Sequence, residues 1–228
     1  MYENIIAIPF RNREKHLEYF VANSVPLIEK HLPNTKVVVV EQNQGKLFNR
    51  GILLNVAFKE YQNKTKYFFT HDVDLNPTVK CINTHYTKEV NDTDVLGIYT
   101  SGCNTLGGII KIQDSTIHKI NGFPNNIWGW GAEDKALQNR AEYYNIKKIT
   151  NITNSKKHPE WILRFDNVND RRKDNAPLNT RKHYHQFKTL NDTQKLEQIM
   201  SSGINNLDYT ILEQKMINNM VELIKVDI

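Results

Sequence analysis

The sequence predicts an α/β fold: an open, mostly parallel, Rossmann-like sheet with flanking helices, in a single domain over residues 1–228. Three observations carry this. Short β-branched or aromatic runs bounded by polar residues read as strands buried on both faces. Between them lie stretches with apolar residues at helical spacing. The two kinds alternate up to residue 75, the pattern of βαβ units.

Asn4 to Phe10 is a short apolar run with Pro9 near its end, a buried strand. Arg13 to His31 places Leu17, Phe20, Val21, Val25 and Ile28 on one helical face. Lys36 to Val40 is valine-rich, a strand of a parallel sheet. Leu47 to Tyr61 returns to the helical period, and Lys66 to Thr70 is a third buried strand. Val95 to Tyr99 and Gly108 to Ile112 read as strands, Asp114 or Ser115 as the cap of a short helix, Glu133 to Tyr144 as a helix, and Ile146 to Ile149 as a strand. Past His158 the pattern weakens. Residues 159–190 are polar and charged, which predicts a long mobile loop. A helix over Asp192 to Met200 and an edge strand from Glu222 to Ile228 close the chain.

A chain of 228 residues buries roughly 70% of its unfolded surface, so it needs no disulfide staples. Cys81 and Cys103, with no paired spacing, read as free thiols. The N-terminus has no basic segment or apolar core of a signal peptide, and no run approaches a membrane span. A cytoplasmic placement is expected. The net charge of +5 is spread along the chain, which predicts weak attraction to anions but no nucleic-acid partner. The four sequons at Asn63, Asn91, Asn151 and Asn191 read as chance matches in an Asn-rich chain.

In a parallel sheet, ligands bind beyond the carboxyl ends of the strands. Three polar clusters fall there. Asp72-Val-Asp74 offers hard oxygens for Mg²⁺ or Mn²⁺, whose charge balances a diphosphate; the competing reading is a solvated acidic loop. Pro9-Phe-Arg-Asn-Arg13 places two guanidinium groups and a ring at a strand-to-helix junction, suited to phosphate and a stacked base, or else forms a basic turn. Trp128-Gly-Trp-Gly-Ala-Glu-Asp134 is the most informative stretch. Indole faces stack on sugars, and the glycines let backbone approach a ligand. Glu133 and Asp134 then open a helix whose dipole favours ionised carboxylates, as a general base requires. The bland reading is a core Trp pair with acidic caps. His158, ahead of Pro159 and Trp161, is a metal ligand or a structural histidine.

These pieces, with Phe48-Asn-Arg50, Leu53-Leu-Asn-Val56, Leu106-Gly-Gly108, Asn121-Gly-Phe-Pro-Asn-Asn126, Gly203 to Tyr209 and Val226-Asp-Ile228, stand in the order of one family. The chain resembles the β-1,4-galactosyltransferases, glycosyltransferase family seven, over nearly its whole length. The resemblance implies a GT-A type fold and an inverting transfer from a UDP-sugar to a glycan or glycoconjugate. It implies uridine-diphosphate contacts at Pro9, Phe10, Arg11, Arg13, Phe48 and Arg50, and donor contacts at Asp72 and Val73. It also implies manganese at Asp74 and His158, sugar-lining roles for Gly108 and Trp130, a sugar contact at Glu133, and Asp134 as catalytic base.

The chain also departs from the family pattern. Lys135 stands where the family has a third acid, and Ala132 where it often has Gly. Thr105 replaces a Tyr that in the family helps separate galactose from N-acetylgalactosamine, so a bulkier donor is admitted. The ligand usually upstream of the loop histidine falls at Ser155 or Lys156, and Tyr67 stands at a cysteine position. An active transferase is the leading reading. A catalytically silent module binding sugar or UDP is the alternative, and a metal-dependent phosphatase or nuclease is disfavoured by the Trp-Gly-Trp-Gly stretch.

Overall fold

Strand β1 (Tyr2–Phe10) has a parallel neighbour on each side. Its residues Ile5 to Ile8 are fully buried, because helices cover both faces of the strand. In this computed structural model, residues 1–228 are described except 101–104, 130, 154–158 and 166–184. After β1 the chain turns through Asn12 at φ 53° into α1 (Glu14–Asn23) and α2 (Val25–His31). The single helix expected from Arg13 to His31 is thus two. Pro26 sits in the first turn of α2, where it lacks the N–H and crowds the preceding turn, so the helix restarts at Ser24.

β2 (Thr35–Gln42), α3 (Arg50–Glu60) and β3 (Thr65–Thr70) complete the alternating half. α3 is buried from Gly51 to Phe58, and Asn49 caps it by accepting from the Ile52 amide at 2.9 Å. Then come β4 (Leu75–Pro77), the short α4 (Val79–Cys81) continued by a π-helical turn Ile82–Tyr86, β5 (Asp94–Thr100) and β6 (Ile109–Gln113). α5 (Asp114–Lys119) starts from Gln113, with no side-chain cap from Asp114 or Ser115. α6 (Glu133–Tyr143), β7 (Lys147–Thr153), β8 (Ile162–Arg164), α7 (Asp192–Met200), β9 (Thr210–Met216) and β10 (Val221–Asp227) follow.

The eight-stranded sheet has the order β7-β5-β6-β3-β1-β2-β10-β9, and β4 pairs with β8 in a small second sheet. The strands β3-β1-β2-β10 are mutually parallel. Successive residues of β1 and β2 point to opposite faces. Ile5, Ala7, Val38 and Val40 join one core with α3, α5 and α6. Ile6, Ile8, Val37 and Val39 join the other with α1, α2 and the π-helical turn.

Two further expectations are corrected. The C-terminal strand is not an edge: β10 lies between β2 and β9, with Val221, Ile224 and Val226 fully buried. β9 is the edge, and all seven of its residues are exposed. A hairpin folds β9 outward, so the end of the chain does not coincide with the end of the sheet. The loop expected at 159–190 is structured at its start. Ile162 to Arg164 form β8, because β4 supplies ladder partners that local sequence does not reveal. Cys81 is a free buried thiol; Cys103 lies outside the described residues. Among the described residues, no helix is long and apolar enough to cross a membrane.

Candidate active site

The parallel registers Pro9↔Val40 and Ala7↔Thr70 bring the carboxyl ends of β1, β2 and β3 to one edge of the sheet. There the Arg11 guanidinium donates to the Lys46 carbonyl at 2.7 Å and lies 5.3 Å from the centre of the Phe48 ring. Arg13 is half-buried just before α1. Phe10, expected to stack on a base, packs instead into the α1–α2 core at 4% exposure. Its alternation along β1 turns the ring inward. Pro9 is buried too, and Val73 sits in the same core, so those residues reach the edge only through their backbone. Half-buried Phe48 is the exposed aromatic of this group.

Arg50, at the start of α3, is the centre of the polar site. Its Nε and Nη2 lie 3.0 Å from Asp72 Oδ1, its Nη1 3.1 Å from Asp134 Oδ1, and the same Nη1 3.9 Å from Glu133 Oε1. Burial by itself lowers the guanidinium pKa, but the three carboxylates outweigh it and the net shift is upward. Arg50 was expected on the diphosphate; here it joins the loop after β3 to the first turn of α6.

Glu133 has a side chain only 8% exposed, and its Oε2 is buried with no hydrogen-bond partner among the described residues. Burial first, then repulsion from Asp134, raises its pKa. The helix dipole favours the ionised form of both acids, and at Glu133 burial and the Asp134 charge oppose it. Asp134 is a quarter exposed and faces the loop before β6. Gly107 makes room for it, since a Cβ there would lie 1.9 Å from Asp134 Oδ2. Gly108, at φ 78°, passes so close to Tyr99 that a Cβ would lie 2.4 Å from its carbonyl.

The Trp-Gly stretch is anchored by the Gly129 amide donating to the Phe48 carbonyl at 2.7 Å. Trp128 is half-buried against the α3 core, with the Lys46 ammonium 5.9 Å from its ring centre. It is thus partly a packing residue. Trp130 lies outside the described residues. Ala132 holds φ 82°, a left-handed conformation strained for any residue with a Cβ.

Asp72 and Asp74 do not form one pair. Asp72 turns to Arg50. Asp74, with a side chain 8% exposed, accepts from Arg164 Nη2 at 3.2 Å. Asp74 suits a divalent cation as a buried hard-oxygen donor at a strand end. His158, its expected partner, and the positions Ser155 and Lys156 lie outside the described residues. Among the described residues no group of three His, Cys, Asp or Glu gathers to hold a metal.

The comparisons with known proteins bear on the same segments. The family model described as the N-terminal region of glycosyl transferase group 7 matches residues 1–85. The model described as the N-terminal domain of galactosyltransferase matches residues 90–165. β-1,4-galactosyltransferase 1 of Bos taurus is 32% identical over 217 residues, 91% of this chain and 50% of that protein. The chain belongs to glycosyltransferase family seven. Human β-1,4-galactosyltransferase 4 is 36% identical over 149 residues, 62% of this chain and 43% of its own. The chain thus spans about half the length of these relatives. The catalytic domain of Drosophila β-1,4-galactosyltransferase 7, solved with xylobiose, superposes with a TM-score of 0.79 at 21% identity, covering 100% of this chain and 94% of that one. A mutant of that enzyme was solved with manganese, UDP-Gal and xylobiose. The shared fold is the GT-A type.

Within this family seven chain, several residues to which the sequence assigns no individual role hold the site in place. Asn55 on α3 donates to the Phe123 carbonyl at 2.7 Å and to Asn125 Oδ1 at 2.9 Å, and accepts from the Phe123 amide at 2.9 Å. Arg140 on α6 donates to the carbonyls of Asn121 and Gly122 at 2.7 and 2.9 Å, and to that of Ser202. These bonds tie the Asn121–Asn126 loop between α3 and α6. Behind Asp72 the fully buried His71 ring has Nδ1 2.9 Å from the Asp72 carbonyl and Nε2 2.8 Å from the Tyr86 hydroxyl. A carbonyl only accepts, so Nδ1 carries the proton and Nε2 accepts from Tyr86. Local sequence does not signal these roles, because the partners of Asn55 and Arg140 are distant in the chain and that of His71 Nε2 lies beyond β4.

Proposed function

We propose that this chain is an inverting glycosyltransferase. It moves a hexose, galactose or N-acetylgalactosamine, from a UDP-sugar to a hydroxyl of a glycan or glycoconjugate. The observation that carries the reading is the Arg50 bridge between Asp72 and Asp134. It fixes a carboxylate from the acceptor-side helix against the donor-side loop, where a hydroxyl and an anomeric carbon must meet. The relatives' names and the UDP-Gal bound to the Drosophila enzyme support the donor class.

Asp134 accepts the proton of the acceptor hydroxyl as that oxygen bonds to the anomeric carbon. The bond from that carbon to the UDP oxygen breaks on the opposite face, and its electron pair leaves with UDP, inverting the configuration. Arg50 holds Asp134 in place through the 3.1 Å contact. Gly107 lets the carboxylate lie against backbone. Arg11 and Phe48 hold the nucleotide, by pairing with phosphate and stacking on the base. Asp74, with His158, would hold Mn²⁺ or Mg²⁺, and the bound ion supplies countercharge to the diphosphate.

The test measures UDP release from UDP-galactose and UDP-N-acetylgalactosamine, with and without Mn²⁺ and a β-linked sugar acceptor. Asp134→Asn is expected to lose about 100- to 10,000-fold in turnover, the usual worth of a general base, while still binding UDP. If the wild type releases UDP from neither donor, the reading fails.

A further inference from the structure

The carboxylate offered to a metal is engaged by a cation of the chain itself. Arg164 ends β8, and the ladder Leu75↔Arg164, Asn76↔Leu163 and Pro77↔Ile162 fixes that strand beside Asp74. The Phe165 amide donates to the Asp74 carbonyl at 2.9 Å. The Phe165 ring stacks on Tyr19 at 4.6 Å and meets His16 edge-on at 5.1 Å. Backbone register and ring packing thus deliver the guanidinium, whose Nη2 lies 3.2 Å from Asp74 Oδ2. The two partners differ in their access to water: the Asp74 side chain is 8% exposed and that of Arg164 37%. The anion is fixed, and the cation has a way out.

A divalent ion binds carboxylate oxygen at little over 2 Å. A divalent ion and a guanidinium held on the same Asp74 oxygen repel each other, and in a partly buried site water screens that repulsion weakly. We propose that Arg164 is an internal competitor for the divalent cation at Asp74. Metal entry releases the guanidinium toward solvent, and the affinity of the site for metal is set partly by the cost of that release. The proposal rests on the reading of Asp74 as the metal-binding carboxylate.

The test is Mn²⁺ titration of the whole chain at fixed ionic strength, without nucleotide, following free Mn²⁺ by electron paramagnetic resonance. Arg164→Gln is expected to bind Mn²⁺ about three- to tenfold more tightly, the scale of one partly exposed ion pair. Arg164→Lys, which keeps the charge but loses the planar fork, is expected to fall between, and it serves if the Gln variant does not fold. Lys80→Ala controls for bulk charge. Its ammonium lies 4.2 Å from the ring centre of Trp161, just before β8, and its loss should leave the affinity unchanged. Equal or weaker binding by the Arg164 variants, or an equal gain in Lys80→Ala, overturns the proposal. Asp74→Asn separates the two layers. If it binds Mn²⁺ as the wild type does, the Asp74 reading falls and the proposal with it. If it loses binding while Arg164→Gln gains nothing, only the role of Arg164 falls.

Discussion

Arg50 faces three carboxylates with one guanidinium, and that imbalance sets the protonation pattern of the site. Asp72 and Asp134 take the short contacts, at 3.0 and 3.1 Å, while Glu133 is left at 3.9 Å with a buried unpartnered oxygen. The acid that is least paired and most buried is the one pushed toward its neutral form. Burial and the neighbouring Asp134 both push Glu133 that way. Replacing Arg50 by Gln removes the ion pairs that hold Asp134 against the loop after β3. If Asp134 acts on the acceptor, kcat should fall by about 100-fold, the scale of a misplaced reacting group, while UDP affinity changes less. An unchanged kcat would show that the bridge does not position Asp134.

At the scale of the element, the loop after β3 is shaped from behind. His71 ends the hydrophobic run of β3, packs against Phe20 at 5.3 Å and holds the Asp72 carbonyl. Burial lowers its pKa from 6.5 to about 4. The folded value lies below the unfolded one, so between those pH values the unfolded chain binds a proton that the folded chain refuses. Stability is then complete above pH 6.5 and falls as the pH drops through the window, by about 3 kcal/mol at its lower end. Urea midpoints at pH 7 and 4.5 check this: His71→Gln should flatten the acid decline, and an equally steep loss in that variant would place the titration elsewhere. The same element explains why Asp72 and Asp74 part company. A turn closed by the Leu75 amide on the Asp72 carbonyl at 3.2 Å sends one side chain to α3 and the other to β8.

Across the whole molecule, the C-terminal hairpin is part of the sheet that carries the site. Glu222 on β10 lies 2.9 Å from Lys36 Nζ of β2, accepts from the Tyr61 hydroxyl just beyond α3, and accepts from Gln214 Nε2 of β9 at 2.9 Å. The last strands are thereby locked to the βαβ half. Interior and edge should respond differently to truncation. Ile224→Ala, at a fully buried position, should cost about 2–5 kcal/mol. Leu212→Ala on β9, at 50% exposure, should stay within about 0.5 kcal/mol. Denaturant unfolding of the two variants compares them directly; similar costs would contradict the strand order at this end of the sheet.

The alternating half of the fold is legible in the chain alone, because buried strands and amphipathic helices write their periods locally. The sequence also shows which residue types lie at the strand ends, and its ordered motifs point to the family. What it could not determine is which side chains face each other. Phe10 and Phe48 are both aromatic residues near a strand end, yet only the pleat of β1 turns one into the core. Arg50 reads as a phosphate contact until α3 and α6 bring it against Asp134, 84 positions away. Arg164 reads as loop until β4 supplies its ladder. The C-terminal strand reads as an edge until the hairpin places β9 outside it. Local periodicity is set by neighbours in the chain, whereas pairing, burial and ion partners are set by neighbours in space, which the packed fold alone brings together.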